Sequence, residues 1–286
     1  PIRPGVAEAL QKAQTAGLKV VTITGDYADT AISVLRELRI EVAKDEIMLG
    51  EELEKMTAHE LSRKVNSVKL FARTSPDQKL KIVEALKKNG EVVGMMGDGV
   101  NDAPALSRAD IGIVVGEATD VAKESADLIL LDSNFATVVA AIEEGRGIFE
   151  KIRKIILYLI SDSFEEIIAV VATIIFGLPL AVTAAQILWI NLISDGFPNL
   201  ALTVDPTRES IMNEGPRNSR EAIVAPWMRT LILIISFFGG ISAFILFLII
   251  YKNTNDISLS RSAAFASLGI NSLIYVFSVR ALNKPF

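Results

Sequence analysis

The chain has no cysteine and one histidine, His59, among its 286 residues. Without cysteine there is no disulfide scaffold, no iron–sulfur cluster and no thiol nucleophile. A lone histidine is too little for a zinc site of the usual kind. Basic runs are missing as well. The 29 Lys and Arg stand against 34 Asp and Glu, a formal net charge of -5, and this balance argues against nucleic acid as a partner. The opening, Pro1-Ile2-Arg3-Pro4, has neither Met nor a charged-then-apolar leader, so it reads as an internal cut rather than a signal peptide. What is plentiful is apolar: half the residues (50%) are hydrophobic and 22% charged, with a mean hydropathy of +0.40. That is too high for an ordinary soluble domain and too low for an all-membrane protein. The length allows roughly two units.

The two halves read as suited to different solvents. Up to about residue 150, short β-branched runs alternate with amphipathic stretches. Strands are expected at Lys19–Ile23, Val68–Ala72, Glu91–Met96, Ile111–Val115 and Leu128–Leu131, and helices at about 4–16, 27–38, 77–88 and 101–108. Such alternation predicts a mainly parallel sheet covered on both faces, with ligands at the carboxyl ends of its strands. Later come four apolar segments, about 154–176, 181–204, 229–251 and 261–279, each near the ~20 residues that cross a bilayer core. The last is the most polar, with Ser262, Asn271 and Ser272. Lys151, Arg153 and Lys154 precede the first segment. Arg208, Arg217, Arg220 and Arg229 fall between the second and third, and Arg280 and Lys284 follow the fourth. The turn at Gly177–Pro179 has no Lys or Arg, which places the first half, the 205–228 connection and the C-terminus on the cytoplasmic side. No proline interrupts Phe135–Phe176, so one helix of about 60 Å can join the halves at 1.5 Å per residue. Gly145 and Gly147 mark a weak point in it, suited to a hinge.

Three loops follow expected strands. Thr24-Gly25-Asp26 offers a hydroxyl and a backbone turn to a phosphoryl oxygen, or simply caps a helix. Lys79, in Ser75-Pro76-Asp77-Gln78-Lys79, can neutralise phosphoryl charge from the start of a helix. In Gly97-Asp98-Gly99-Val100-Asn101-Asp102, glycines permit a tight turn on which Asp98, Asn101 and Asp102 converge. These oxygen ligands suit Mg²⁺, which keeps waters and bridges to a phosphate.

Within the apolar segments, charge is costly and points to function. Asp162 and Glu166 are four apart and share a helix face, as do Ser163 and Glu166 at spacing three. Asn191 and Asp195 are again four apart, with Ser194 between them. Gly196 and Pro198 follow and are expected to unwind that helix and free carbonyl oxygens beside a cavity. Carboxylates, an amide oxygen and loose carbonyls make a hard-oxygen site fit for Ca²⁺, though Mn²⁺ accepts the same ligands. An interhelical hydrogen-bond network is the other use for these groups. Asp162 and Glu165 are extra acids without an assigned role: binding protons for counter-transport and simply facing water are the two uses open to them.

The stretches KVVTITGD (Lys19–Asp26), FARTSPDQK (Phe71–Lys79), MMGDGVNDAPAL (Met95–Leu106) and LWINLISDGFP (Leu188–Pro198) resemble the C-terminal portion of P-type cation-transporting ATPases, in the family's order. The resemblance implies an α/β haloacid-dehalogenase-like (Rossmann-like) domain, partial, joined by a long helix to an α-helical transmembrane bundle. The expected division is 1–133 for the phosphorylation domain, 134–153 for the stalk helix and 154–286 for the membrane domain. By the same resemblance, Thr24 and Gly25, with Asp26 beside them, hold the phosphoryl group. Lys79 stabilises its charge, Asp98 binds Mg²⁺, and Asn101 and Asp102 complete the site. Met96 stands where the family often has threonine. The WINLISDG run resembles the sixth membrane helix of calcium pumps. It implies Asn191, Ser194, Asp195 and Glu166 as ligands of the transported ion, with Ser163 where two-site pumps have asparagine.

The family's DKTGT motif with its phosphorylated aspartate, its TGE loop and its nucleotide-binding domain do not occur in the chain. They are expected upstream, so that MgATP acts through a domain this piece lacks and the piece alone is inactive. The expectation is a multi-pass integral membrane protein in contact with lipid, in the plasma membrane if prokaryotic, moving a cation, chiefly Ca²⁺. A non-catalytic remnant or membrane-bound regulator, and a phosphatase domain with an anchor, are the competing readings.

Overall fold

The computed structural model describes residues 2–218 and 221–282. Arg220 and Lys284, counted above among the flanking cations, lie outside the described residues. The chain divides into two units, 2–143 with 210–218 and 144–209 with 221–282.

In the first unit, α1 (Val6–Thr15), β1 (Thr22–Ile23), α2 (Ala28–Glu37) and β2 (Ile47–Leu49) come first. They are followed by α3 (Gly50–Glu54), α4 (Ala58–Lys64) and β3 (Leu70–Ala72). Then α5 (Pro76–Lys88), β4 (Gly94–Gly97), α6 (Ala103–Arg108), β5 (Ile111–Val115), α7 (Asp120–Glu124) and β6 (Leu128–Leu130) alternate. Every strand pairing is parallel, as the alternation predicts. The strands form two three-stranded sheets, β1-β3-β2 and β4-β5-β6, rather than one. The run from Lys19 pairs only at Thr22–Ile23, and that from Glu91 only from Gly94. The elements β2, α3, α4 and α7 escaped the sequence reading because each is too short to display a period.

The central strand β3 is wholly buried. Helix α5 serves both sheets, giving Ile82 and Leu86 to the core around Phe71 and Val83 to the core around Val114. Full burial of side chains of this size stabilises by about 1.5–3 kcal/mol each. The helix starts at Pro76, one residue before the expected position. Ser75 accepts the Gln78 N–H, Gln78 Oε1 accepts the Ser75 N–H (3.0 Å), and Pro76 occupies the first turn.

In the second unit the helices are α8 (Phe135–Ile175, which begins in the first unit), α9 (Ala184–Trp189), α10 (Gly196–Thr203), α11 (Pro226–Thr254) and α12 (Ile257–Ala281). The 41 residues of α8 are unbroken. At Gly147 a Cβ would run into the Thr207 side chain, so glycine permits close approach there, while at Gly145 a Cβ would meet nothing within 4 Å. Helices α11 and α12 are long and apolar enough to cross a membrane. The polarity of the unit is inverted. Asp162, Glu165, Glu166, Asp195 and Ser272 are buried while Ile174, Leu192, Phe197, Leu233 and Phe238 are exposed. A surface this apolar suits lipid and not water.

The segment expected at 181–204 differs from its prediction in one respect. It does not unwind after Asp195. It widens before it, into a π turn over Ile190–Ser194. The Asp195 N–H reaches the Ile190 carbonyl five residues back (3.0 Å), and ordinary helix resumes with Asn199 N–H on Asp195 O (3.0 Å). The cause is Pro198, which has no N–H to give Ser194 and whose ring crowds the Ser194 carbonyl. The strain is relieved upstream by one wide turn, as π bulges commonly do.

Candidate functional site

The first unit gathers the three loops at strand ends. Thr24 follows β1, its N–H held by Phe71 O (2.9 Å), and its Oγ1 accepts the Asp26 N–H (3.0 Å), closing the turn. Its carbonyl accepts both the Thr74 N–H and the Thr74 Oγ1–H, each at 3.0 Å. Thr74 was not singled out in the sequence. It sits beside the Ser75 cap, the one local signal that could have found it. Gly25 and Asp26 are exposed.

Beyond β4, the 98–102 loop is pinned by Asp102. Its Oδ1 meets Lys79 Nζ at 2.6 Å and its Oδ2 accepts the Asp98 N–H at 3.4 Å. The Asp102 side chain fits only because Gly97 lacks a Cβ, which would fall 2.6 Å from it. Lys79 and Asp102 are therefore brought together as a largely buried ion pair, with side chains 17% and 8% exposed. Asp102 is engaged inside the protein, whereas Asp98 and Asn101 are exposed at the loop surface. What the loop offers a metal is the exposed carboxylate of Asp98, which fits Mg²⁺, an ion that keeps several waters and is held through one or two carboxylates. No group of three or more His, Asp or Glu able to hold a metal occurs among the described residues.

The second unit gathers the intramembrane acids. Asp162, Glu165 and Glu166 of α8 and Asp195 after the π turn are 3%, 3%, 6% and 1% exposed. Each has a buried oxygen with no hydrogen-bond donor: Asp162 Oδ2, Glu165 Oε1, Glu166 Oε1 and Asp195 Oδ2. Buried carboxylates left this way are costly unless a positive charge joins them. The Asn191 amide reaches Glu166 Oε2 (3.4 Å) and Ile187 O (3.0 Å), leaving its own oxygen as an acceptor. Ser194 is buried, and its carbonyl lies 3.2 Å from the Tyr158 hydroxyl. Asp195 Oδ1 accepts from Ser272 (3.0 Å) and Tyr158 (3.4 Å). Ser163 is not brought to the site: it lies on the exposed side of α8, because the buried stripe runs through Asp162, Glu165, Glu166 and Ala169.

Two of the three polar residues of the last apolar segment, Asn271 and Ser272, are partners of the acids, whereas Ser262 donates to the Ser258 carbonyl within its own helix. Ser272 holds Asp195, and the Asn271 amide donates to Glu165 Oε2 at 2.7 Å. Glu165 is seated against α11 at Gly239, where a Cβ would overlap the carboxyl group. Only the fold reveals these partners, which come from other helices.

Residues 1–110 match the family described as haloacid dehalogenase-like hydrolase, and residues 179–286 match the family described as cation transporting ATPase, C-terminus. The calcium-transporting ATPase of Bacillus subtilis (strain 168) is 41% identical over 288 residues, covering 100% of this chain and 32% of that protein. The cation-transporting ATPase pma1 of Synechocystis sp. (strain ATCC 27184 / PCC 6803 / Kazusa) is 36% identical over 288 residues, with 100% and 32% covered. A solved structure of the catalytic domain of the CPx-ATPase CopB-B is 31% identical with a TM-score of 0.38, covering 49% of this chain and 45% of that one. The chain spans about a third of the length of the curated relatives it matches. With a hydrolase region and an ATPase C-terminal region in that order on one chain, and such relatives matching it from end to end, it belongs to the P-type cation-transporting ATPases.

Proposed function

We propose that the full-length protein is an ATP-driven pump that moves a divalent cation, Ca²⁺ in the first place, through an aspartyl-phosphate intermediate. The observation that carries this reading is the set of buried carboxylate oxygens without donors on α8 and beside the π turn. A passive anchor has no use for them. Ca²⁺ takes 6–8 oxygen ligands in flexible geometry. Glu166, Asp195, the Asn191 amide oxygen and Ser194 supply such oxygens from two neighbouring helical segments. The relatives named for calcium transport share this direction.

In the first unit, Thr24 and the Gly25 backbone bind phosphoryl oxygens. Lys79, fixed by Asp102, offsets the charge that develops during transfer. Catalysis of this kind rests on positioning and fixed charge. Asp98 would hold Mg²⁺, which supplies charge neutralisation at the phosphate; Asn101 and Asp26 border the same loops. ATP reaches this site through a nucleotide-binding domain of the full-length protein.

The membrane topology follows the cations. Lys154 meets Asp205 (3.4 Å), which also holds Arg280 (2.8 Å), and Arg153 meets Glu221 (2.5 Å) and the Ile223 carbonyl (2.9 Å). The start of the first span, the end of the second, the connection after it and the end of α12 thus share one charged rim. In this reading four spans cross the bilayer and that rim is cytoplasmic.

The test is ATP-driven uptake of ⁴⁵Ca²⁺ into inverted membrane vesicles carrying the full-length protein. Uptake that needs ATP and is released by a calcium ionophore supports the pump. Absence of uptake for Ca²⁺ and Mn²⁺ alike contradicts it.

A further inference from the structure

Asp162 has no counterpart among the ion ligands drawn from the calcium-pump pattern, yet it is 3% exposed and sits on the face of α8 that carries Glu166 one turn later. One turn before Asp162 on the same buried face, Tyr158 sets its hydroxyl 3.4 Å from Asp195 Oδ1 and 3.2 Å from the Ser194 carbonyl, so this face of α8 packs on the end of the π turn. On both Asp162 and Asp195, Oδ2 is buried without a donor. Other groups on the packed elements are acids or neutral. Helix α8 adds Glu165, Glu166 and Tyr158, and α12 adds Ser272, which is committed to Asp195 Oδ1. Among the described residues, no Lys or Arg pairs with any of these acids.

We propose that Asp162 is a further ligand of the transported cation, its carboxylate and that of Asp195 taking the same ion between them. The proposal rests on the pump reading above and extends its ion site by one residue and one negative charge. Two carboxylates facing each other out of water repel, and a divalent ion between them turns that repulsion into attraction on both sides. Asp162 and Asp195 are the charged pair of the set, Glu166 lies one turn along α8 from Asp162, and Asn191 adds a neutral amide oxygen; among the described residues the three acids do not already form a closed metal cage. Such a set favours a small, doubly charged, oxygen-seeking ion over a monovalent one.

Glu165 marks the contrast. It is equally buried, but it receives the Asn271 N–H at 2.7 Å and rests on Gly239. That arrangement ties α8 to α11 and α12, and Glu165 stays outside the proposed set. A structural tie is also the competing role for Asp162, pinning α8 to the π turn through Asp195. The two roles separate on one substitution. Asp162→Asn keeps the shape and can donate a hydrogen bond to Asp195, which preserves or improves a tie but removes a ligand charge.

The experiment is equilibrium binding of ⁴⁵Ca²⁺, without nucleotide, to the purified full-length protein, its fold monitored by gel filtration. Asp162→Asn is expected to weaken Ca²⁺ binding at least about tenfold, as each ~1.4 kcal/mol lost does, and Asp162→Glu to retain part of it. If Asp162→Asn does not accumulate, Asp162→Ser, shorter and still polar, is measured in the same way with the same expectation. Wild-type affinity in the Asp162 variants together with loss of binding in Asp195→Asn overturns the role of Asp162 and leaves the pump reading in place. Wild-type affinity in both the Asp162 and Asp195 variants overturns the ion site itself.

Discussion

Pro198 stands four residues after Ser194, and the carbonyl its ring deprives of an amide partner is the one that meets the Tyr158 hydroxyl at 3.2 Å. One proline thus produces the π turn, turns a backbone oxygen toward α8 and sets Asp195 at the end of the wide turn. Pro198→Ala restores an N–H for Ser194 O. It should let the segment close into regular helix, with thermal stability unchanged or raised. Ca²⁺ binding should weaken by roughly tenfold, on the order of 1.4 kcal/mol. Calcium titration and melting of the purified full-length variant measure both effects. Unchanged affinity would mean that the π turn is incidental to ion binding.

The exposed carboxylate of Asp98 leads to the second expectation. Asp98→Asn should reduce Mg²⁺-dependent phosphoenzyme formation by at least about tenfold while ⁴⁵Ca²⁺ binding persists, since it weakens the hold on the Mg²⁺ whose charge would offset that of the phosphoryl group. Phosphoenzyme at the wild-type level with unchanged Mg²⁺ dependence would remove Asp98 from the site.

Lys79 and Asp102 should behave as a coupled pair. Removing either partner of a largely buried ion pair costs about 3 kcal/mol, because the other charge is left behind. Lys79→Met and Asp102→Asn should each lower the melting temperature of the first unit, and the double variant should cost clearly less than their sum. Strictly additive losses would show that the 2.6 Å contact adds little to stability.

Acid stability should depend on Asp110. Its carboxyl is held below the usual aspartate range, first by the Val93 N–H (2.9 Å) and also by the Lys87 ammonium (2.9 Å), against a smaller opposing effect of burial. A folded-state pKa below the unfolded one gives stability that is present above the unfolded value, about 3.9. It is lost as pH falls through the folded value. Asp110→Asn should therefore melt lower than wild type at neutral pH, and the gap should shrink as pH drops below about 4. A gap that widened in acid would reverse the assignment.

The sequence made legible whatever depends on local pattern. The parallel alternation, the three strand-end loops, the helix that starts before Lys79 and the long apolar helices α11 and α12 all lie close to where periodicity and spacing put them. What it hid depends on partners distant in the chain. The proline effect surfaced upstream, since the crowded atom belongs to Ser194. Ser163 shares a nominal face with Glu166 at spacing three, but burial follows the stripe through Asp162 and Ala169. Asn271 and Ser272 read as weak points of a membrane span, whereas the fold sets them opposite Glu165 and Asp195. Gly147 has a use that its sequence does not display, the close approach of Thr207.

The account stands most directly on phosphorylation of the full-length protein by [γ-³²P]ATP as free Ca²⁺ is titrated, wild type beside Asp195→Asn. Asparagine keeps an oxygen at the buried site but removes a charge that a dehydrated divalent ion depends on. Wild type should form acid-stable phosphoenzyme that saturates with Ca²⁺, and Asp195→Asn should need at least about tenfold more Ca²⁺ for half-saturation. Identical half-saturation in the two proteins would contradict the assignment of Asp195 and its neighbours as the site of the transported ion.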